Sequence, residues 1–240
     1  LMDFNWHKPD TIFAGCAGDI SAYLKIPVTY EKTAEDLTFF DVALTGGKGG
    51  HSEFDIHLER MNALVTFGRI INRIAKEYEV HFVNLTGGVN RYVIPGNMES
   101  VIAVKTQDAD LVKKIIEEVA AELKNEYKIA DPDIKVSVKA AEKTEKVITY
   151  ADSKKICKAL RLLPCGVKSM SLEIEGLVES SNTVAMIETT ENEVSILSTI
   201  PSAVTSRRYN ILQEVEDLAE LLNAKVETFA DCPEWDEDMK

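Results

Sequence analysis

Hydrophobic and polar positions change period along the chain, and each change marks an element. Between residues 11 and 30, Ala22, Leu24, Ile26 and Val28 alternate with other residues, the period-two pattern of a half-buried strand. Residues 31–36 are a polar connection, and 37–45 read as a second strand ending in Gly46-Gly47-Lys48-Gly49-Gly50. From 55 to 78 the period becomes helical, with Ile56, Ala63, Phe67, Ile70, Ile71 and Ile74 on one face. Strands follow at 80–85, 92–94 and 100–105, with Gly87-Gly88 as a turn and Pro95-Gly96 as a stop. Asp108 is the predicted N-cap of a second helix carrying Leu111, Val112, Ile115, Ile116, Val119 and Leu123. Asp131-Pro132-Asp133 breaks the chain before a strand at 134–138.

The theme then repeats. A short strand at 147–150 leads to a helix at 152–163, capped by Asp152 or Ser153 and stopped at Pro164. Strands are predicted at 172–180, 183–189 and 193–200, a long helix within 203–223, and a last strand at 224–229. Each half reads roughly β-α-β-β-α-β. The predicted fold class is α+β: two split β-α-β (ferredoxin-like) units with antiparallel sheets and helices on one face. The halves divide at about 19–145 and 146–229, and residues 230–240, without periodicity, read as a connection leading elsewhere.

Composition narrows the partners. The formal charge of −13, from 40 acidic against 27 basic residues, argues against a nucleic-acid groove, which needs clustered Lys and Arg. No apolar run approaches the ~20 residues of a membrane span, so no membrane partner is expected. Cys16, Cys157, Cys165 and Cys232 form no C-x-x-C pair and read as reduced thiols of a cytoplasmic protein. The opening Leu1-Met2-Asp3-Phe4 reads like the interior of a longer protein, which suggests an excised domain.

The chemistry gathers at the glycine loop. Four glycines in five positions let the backbone take unusual dihedrals and approach other groups closely, and His51-Ser52 stand at the exit. His57 on the following helix reads as structural, and His81 sits in a strand with no partner in view.

Gly49-Gly50-His51-Ser52, Ile56-His57-Leu58, Arg60 and Asn62-Ala63 together resemble the aminoacyl-histidine (Xaa-His) dipeptidases, a branch of the di-zinc metallopeptidases. Further stretches agree in order: Ile12-Phe13-Ala14-Gly15-Cys16-Ala17-Gly18, Gly87-Gly88 with Arg91 and Ile94-Pro95, Gly176-Leu177-Val178-Glu179-Ser180-Ser181-Asn182, and Cys232-Pro233-Glu234-Trp235. The resemblance implies that residues 19–229 are the lid, or dimerisation, domain and that 1–18 are the edge of a zinc-binding catalytic domain. Zinc is implied in the full-length enzyme, with most of its site outside this chain and none bound to the chain itself. The dipeptide is the implied substrate of that parent, and a homodimer is allowed.

By the same resemblance His51 would stabilise the oxyanion of the tetrahedral intermediate, a role that can contribute ~3–4 kcal/mol. Asn182 would line the substrate cleft. Three expected companions differ. A ligand aspartate falls on Asn5, and a neutral amide is a poor zinc ligand. The alternative is that Asp3 or His7 takes over the ligand role, against which a two-residue slip in a strand-end loop moves the donor by roughly 6–7 Å. A substrate-binding Asn falls on Tyr92, and the arginine that would hold the substrate carboxylate falls on Ile200. Arg207 and Arg208 follow within a turn or two and are candidates to substitute for it, although arginines at a helix start are more often solvated. The expected function is the lid of a zinc-dependent Xaa-His dipeptidase-like protein, inactive as this chain and drifted from the family's chemistry. The alternative is a non-catalytic self-association module derived from such a peptidase.

Overall fold

The structure, a computed structural model, describes residues 15–235, so Asp3, Asn5 and His7 lie outside the described residues. β1 (Gly18–Pro27), β2 (Tyr30–Lys32), β3 (Leu37–Thr45) and β4 (Gly50–His51) come first. α1 (Ala63–Ala75), β5 (Val80–Gly87), β6 (Val93–Ile94), β7 (Met98–Lys105), α2 (Ala109–Glu126) and β8 (Lys135–Ala140) complete the first part. The second holds β9 (Lys146–Ile148), α3 (Tyr150–Leu162), β10 (Gly166–Met170), β11 (Val178–Thr189), β12 (Glu193–Ser202), α4 (Thr205–Leu222) and β13 (Lys225–Cys232).

Among the described residues the main sheet has nine strands, ordered β13-β1-β12-β11-β5-β7-β3-β8, with β10 beside β11. All its pairings are antiparallel. The β3-α1-β5 crossover is split, because β7 lies between its two strands. The two predicted sheets are therefore one. They join where β5 meets β11 through Ile187↔Gly87 and Glu188↔Thr86, directly beneath the packing of α1 against α3. β1, first in sequence, sits between β13 and β12 and belongs spatially with the C-terminal strands.

Alternation along the strands decides which side faces the helices. Leu24, Ile26, Phe40, Val42, Leu44, Phe82, Ile102, Val104 and Ile196 join Leu64, Phe67, Ile70, Ile71 and Ile74 of α1 in one core. That core continues to Val112 and Leu123 of α2, Ile156 and Leu160 of α3, and Val215 and Leu222 of α4. At roughly 1.5–3 kcal/mol for each fully buried large apolar side chain, this layer dominates the fold. On the opposite face Phe39, Ala103 and Val147 form a smaller cluster beneath β9. No helix among the described residues is long and apolar enough to cross a membrane.

Several boundaries differ from the periodicity. The helix predicted over 55–78 is a 3-10 turn, Ile56–Leu58, then a break at Glu59 (φ 52°) and α1 from Ala63. Asn62 is the reason: its side chain accepts from the N–H groups of Leu64 and Val65, so the helix starts after it. Residues 172–177 are not strand. Ser171 Oγ accepts from Glu173 and Ile174, and Leu172 and Ile174 are exposed, so their alternation buries nothing. Residues 183–189 instead continue the long β11. Thr149, not Asp152 or Ser153, caps α3, accepting from the Asp152 N–H. Asp108 occupies the N-cap of α2 without a side-chain capping bond.

Candidate functional site

The glycine loop folds back on the sheet face opposite the helices. β4 pairs with β6 through Gly50↔Ile94 and His51↔Val93, and Ser52 N–H donates to the Tyr92 carbonyl at 2.8 Å. Thr183 Oγ1, on β11, donates to the Ser52 carbonyl. Gly50 adopts φ 145°, and a Cβ there would lie 2.7 Å from the Asp55 side chain, so the loop needs glycine at this point. Asp55 Oδ2 accepts from the His51 N–H at 2.8 Å, and Arg60 Nη1 donates to the Gly49 carbonyl at 2.7 Å.

These contacts aim His51. Its Nδ1 accepts from the Glu53 N–H at 3.2 Å, which leaves the proton of the neutral ring on Nε2. Among the described residues Nε2 has no hydrogen-bond partner. The ring stacks on Tyr92 (centroids 6.0 Å apart, planes at 9°) and tilts against Phe54 (4.7 Å). Burial lowers its pKa below the ordinary value of 6.5, opposed by the Asp55 carboxylate. At neutral pH the site therefore holds an uncharged imidazole with an N–H to give.

Arg91 anchors the other side. Its Nη1 donates to Asp19 Oδ2 (2.9 Å) and Ser21 Oγ (2.7 Å) on β1, its Nη2 to the Tyr92 hydroxyl, and its guanidinium lies 4.0 Å over the Tyr92 ring. Thr199 Oγ1, on β12, donates to the Arg91 carbonyl. Glu53 faces this group. Burial and the nearby Asp19 carboxylate push its pKa up to about 7, against the pull of Arg91. The patterns of residues 18–27 and 52–55 give no sign of this meeting, because β1 reaches the loop only through the sheet.

Residues 42–131 match the peptidase dimerisation domain family. The cytosol non-specific dipeptidase of Escherichia coli (strain K12) is 27% identical over 238 residues, covering 99% of this chain and 49% of that protein. The crystal structure of aminoacylhistidine dipeptidase from Vibrio alginolyticus aligns with a TM-score of 0.90 at 31% identity, over 94% of this chain and 46% of that one. Residues 42–131 carry a peptidase dimerisation domain, and the chain as a whole is similar to the aminoacyl-histidine dipeptidase branch. It spans about half the length of those two relatives.

The other predicted residues are scattered over the fold. Asn182 is fully buried and donates from Nδ2 to the Pro164 carbonyl at 2.6 Å; its Oδ1 has no partner among the described residues. It neighbours Thr183, whose side chain reaches the loop, so strand alternation turns Asn182 towards the helices. Ile200 is buried with Ile20, Ala22, Ile211 and Leu212 on that same side. His57 is exposed in the 3-10 turn, while His81 is buried with Nδ1 3.1 Å from the Ile148 carbonyl. Arg208, expected to be solvated, is 3% exposed and paired with Glu234 at 2.7 Å. Among the described residues no three His, Cys, Asp or Glu side chains gather as a metal site.

Proposed function

We propose that this chain is the lid of a dipeptidase that cleaves Xaa-His dipeptides, with His51 as the residue it contributes to the reaction. The observation that carries this reading is the free Nε2–H of a neutral His51, held by main-chain and carboxylate contacts at the end of the glycine loop. The likeness to an aminoacylhistidine dipeptidase over 94% of the chain supports the substrate class.

The negative charge of a tetrahedral intermediate forms on the former carbonyl oxygen. A neutral N–H donor already in place stabilises that charge without reorganisation, and such a donor contributes ~3–4 kcal/mol to the barrier. Zinc is the metal we expect in the full-length parent, and the resemblance implies that most of its ligands, with the attacking water, are supplied from outside this chain. The chain alone is then inactive. Tyr92, where the resemblance implies Asn, gives the parent an altered hold on the dipeptide. We place the parent in the cytoplasm, in keeping with its cytosolic relative.

Hydrolysis of an Xaa-His dipeptide by the full-length parent, compared with its His51→Ala variant, tests the proposal. A fall of about 100-fold or more in kcat with little change in KM supports it; unchanged turnover sinks it.

A second reading rests on the match to a dimerisation family: the domain pairs with another copy. The edges of β5 and β11 are already used against each other within the chain. Sedimentation of the chain separates the two readings, since a tight dimer favours self-association.

A further inference from the structure

Asp131 lies far in sequence from the glycine loop, in the connection between α2 and β8, where the pattern shows only a break. It is fully buried. Its Oδ1 accepts from the Lys48 N–H at 2.7 Å and its Oδ2 from the Met61 N–H at 2.6 Å, so one carboxylate spans both ends of the loop that carries His51. The contact is reinforced around it. Lys48 Nζ donates to the Ala130 carbonyl at 2.5 Å, and the Asp131 N–H donates to the carbonyl of Tyr127, the C-cap of α2. Gly46, at φ 84°, passes so close to the Asp133 carbonyl that any Cβ would collide with it.

We propose that Asp131 is a positioning residue for His51: by closing residues 48 and 61 on one carboxylate it fixes the base of the loop and hence the place of the imidazole. The reasoning is one of leverage. The tip of the loop is held by Asp55, Arg60 and Tyr92, all on the loop or its partner strand, whereas Asp131 ties it to the α2 side of the domain. A carboxylate is required because both oxygens accept from main-chain N–H groups. An asparagine offers one acceptor and turns an N–H donor towards another. The catalytic consequence rests on the reading of His51 given above, but the structural consequence does not.

The test compares Asp131→Asn and Asp131→Ala with Asp133→Asn, which removes a charge from an exposed side chain of the same turn. Amide exchange and imidazole resonances of this chain are followed by NMR. In the Asp131 variants the amides of Lys48, His51 and Met61 exchange at least about tenfold faster while those of β7 and β12 keep their protection. The His51 resonances also shift, and its pKa moves up towards the free value of about 6.5. Asp133→Asn does neither. Unchanged loop amides and imidazole, or loss of β7 and β12 protection along with the loop in both Asp131 variants, overturn the proposal. In the full-length parent, Asp131→Asn lowers kcat about 10- to 100-fold with KM within about twofold. If His51→Ala leaves turnover intact, the reading of His51 fails by itself, and amide exchange still decides the role of Asp131.

Discussion

The imidazole of His51 lies parallel to the phenol ring of Tyr92, 6.0 Å between centroids and 9° between planes. Tyr92 occupies the position where the resemblance implies a substrate-binding asparagine, so here a ring that buries the histidine replaces an amide. Tyr92→Asn uncovers His51 and raises its pKa towards the ordinary value, because burial is the chief cause of the lowered one. A histidine titration by NMR reads this directly. No movement of the pKa would show that Phe54 and the loop backbone bury the ring without Tyr92.

Glu53 makes stability pH-dependent on the neutral side. Its folded pKa of about 7 stands above the ordinary 4.5, so the native state holds this proton more tightly than the unfolded chain. Stability therefore falls as pH rises from about 4.5 to 7, and the full penalty is present above 7. Glu53→Gln removes it. The variant gains about 1–3 kcal/mol over the parent at pH 8 and little at pH 4 in urea unfolding.

Asp152 acts on the acid side. Burial alone would raise its pKa, but Lys155, the hydroxyl and N–H of Thr29, and Thr149 outweigh that and hold it at about 2. The stabilisation is complete above the ordinary value of 3.8 and disappears as pH falls through 2. Asp152→Asn costs about 1–2.5 kcal/mol at pH 7, and the two unfolding curves converge near pH 2.

Arg208 ties α4 to Asp231 and Glu234 at the end of β13. It pairs with Glu234 at 2.7 Å and Asp231 at 3.6 Å beside Gly18, next to the bridge between Cys16 and Trp235. Arg208→Ala leaves a cavity and a carboxylate without its cation, at a cost of about 1–3 kcal/mol. Hydrogen exchange should quicken first at Cys16 and Trp235, while the core of α1 keeps its protection.

Strand 37–45 and the helical stretch from Ala63 were legible because each turns an apolar face to the core, and burial of one face imposes a period of 2 or 3.6 on the residues. The helix over-extended to 55 shows where that signal fails. Ile56 fits the helical face, yet Asn62 and the main-chain bond from Met61 to Asp131 start the helix later. The exposed Leu172 and Ile174 show the reverse, a strand-like alternation with nothing to cover it.

By itself the sequence determined the α+β class, the glycine loop with His51 at its exit, and the likeness to the aminoacyl-histidine dipeptidases. All of these live in local period, composition or short ordered motifs. Only the tertiary structure decided that the two strand groups form one sheet, that Asn182 and Ile200 turn towards the helices, and that Glu53, Asp19 and Arg91 meet beside His51. It also showed that Asp131 closes the loop from 70 and 83 residues away. The physical reason is common to them all. A strand's pairing partner, a side chain's face and a carboxylate's neighbours are set by contacts between distant segments, and such contacts leave no period in the chain.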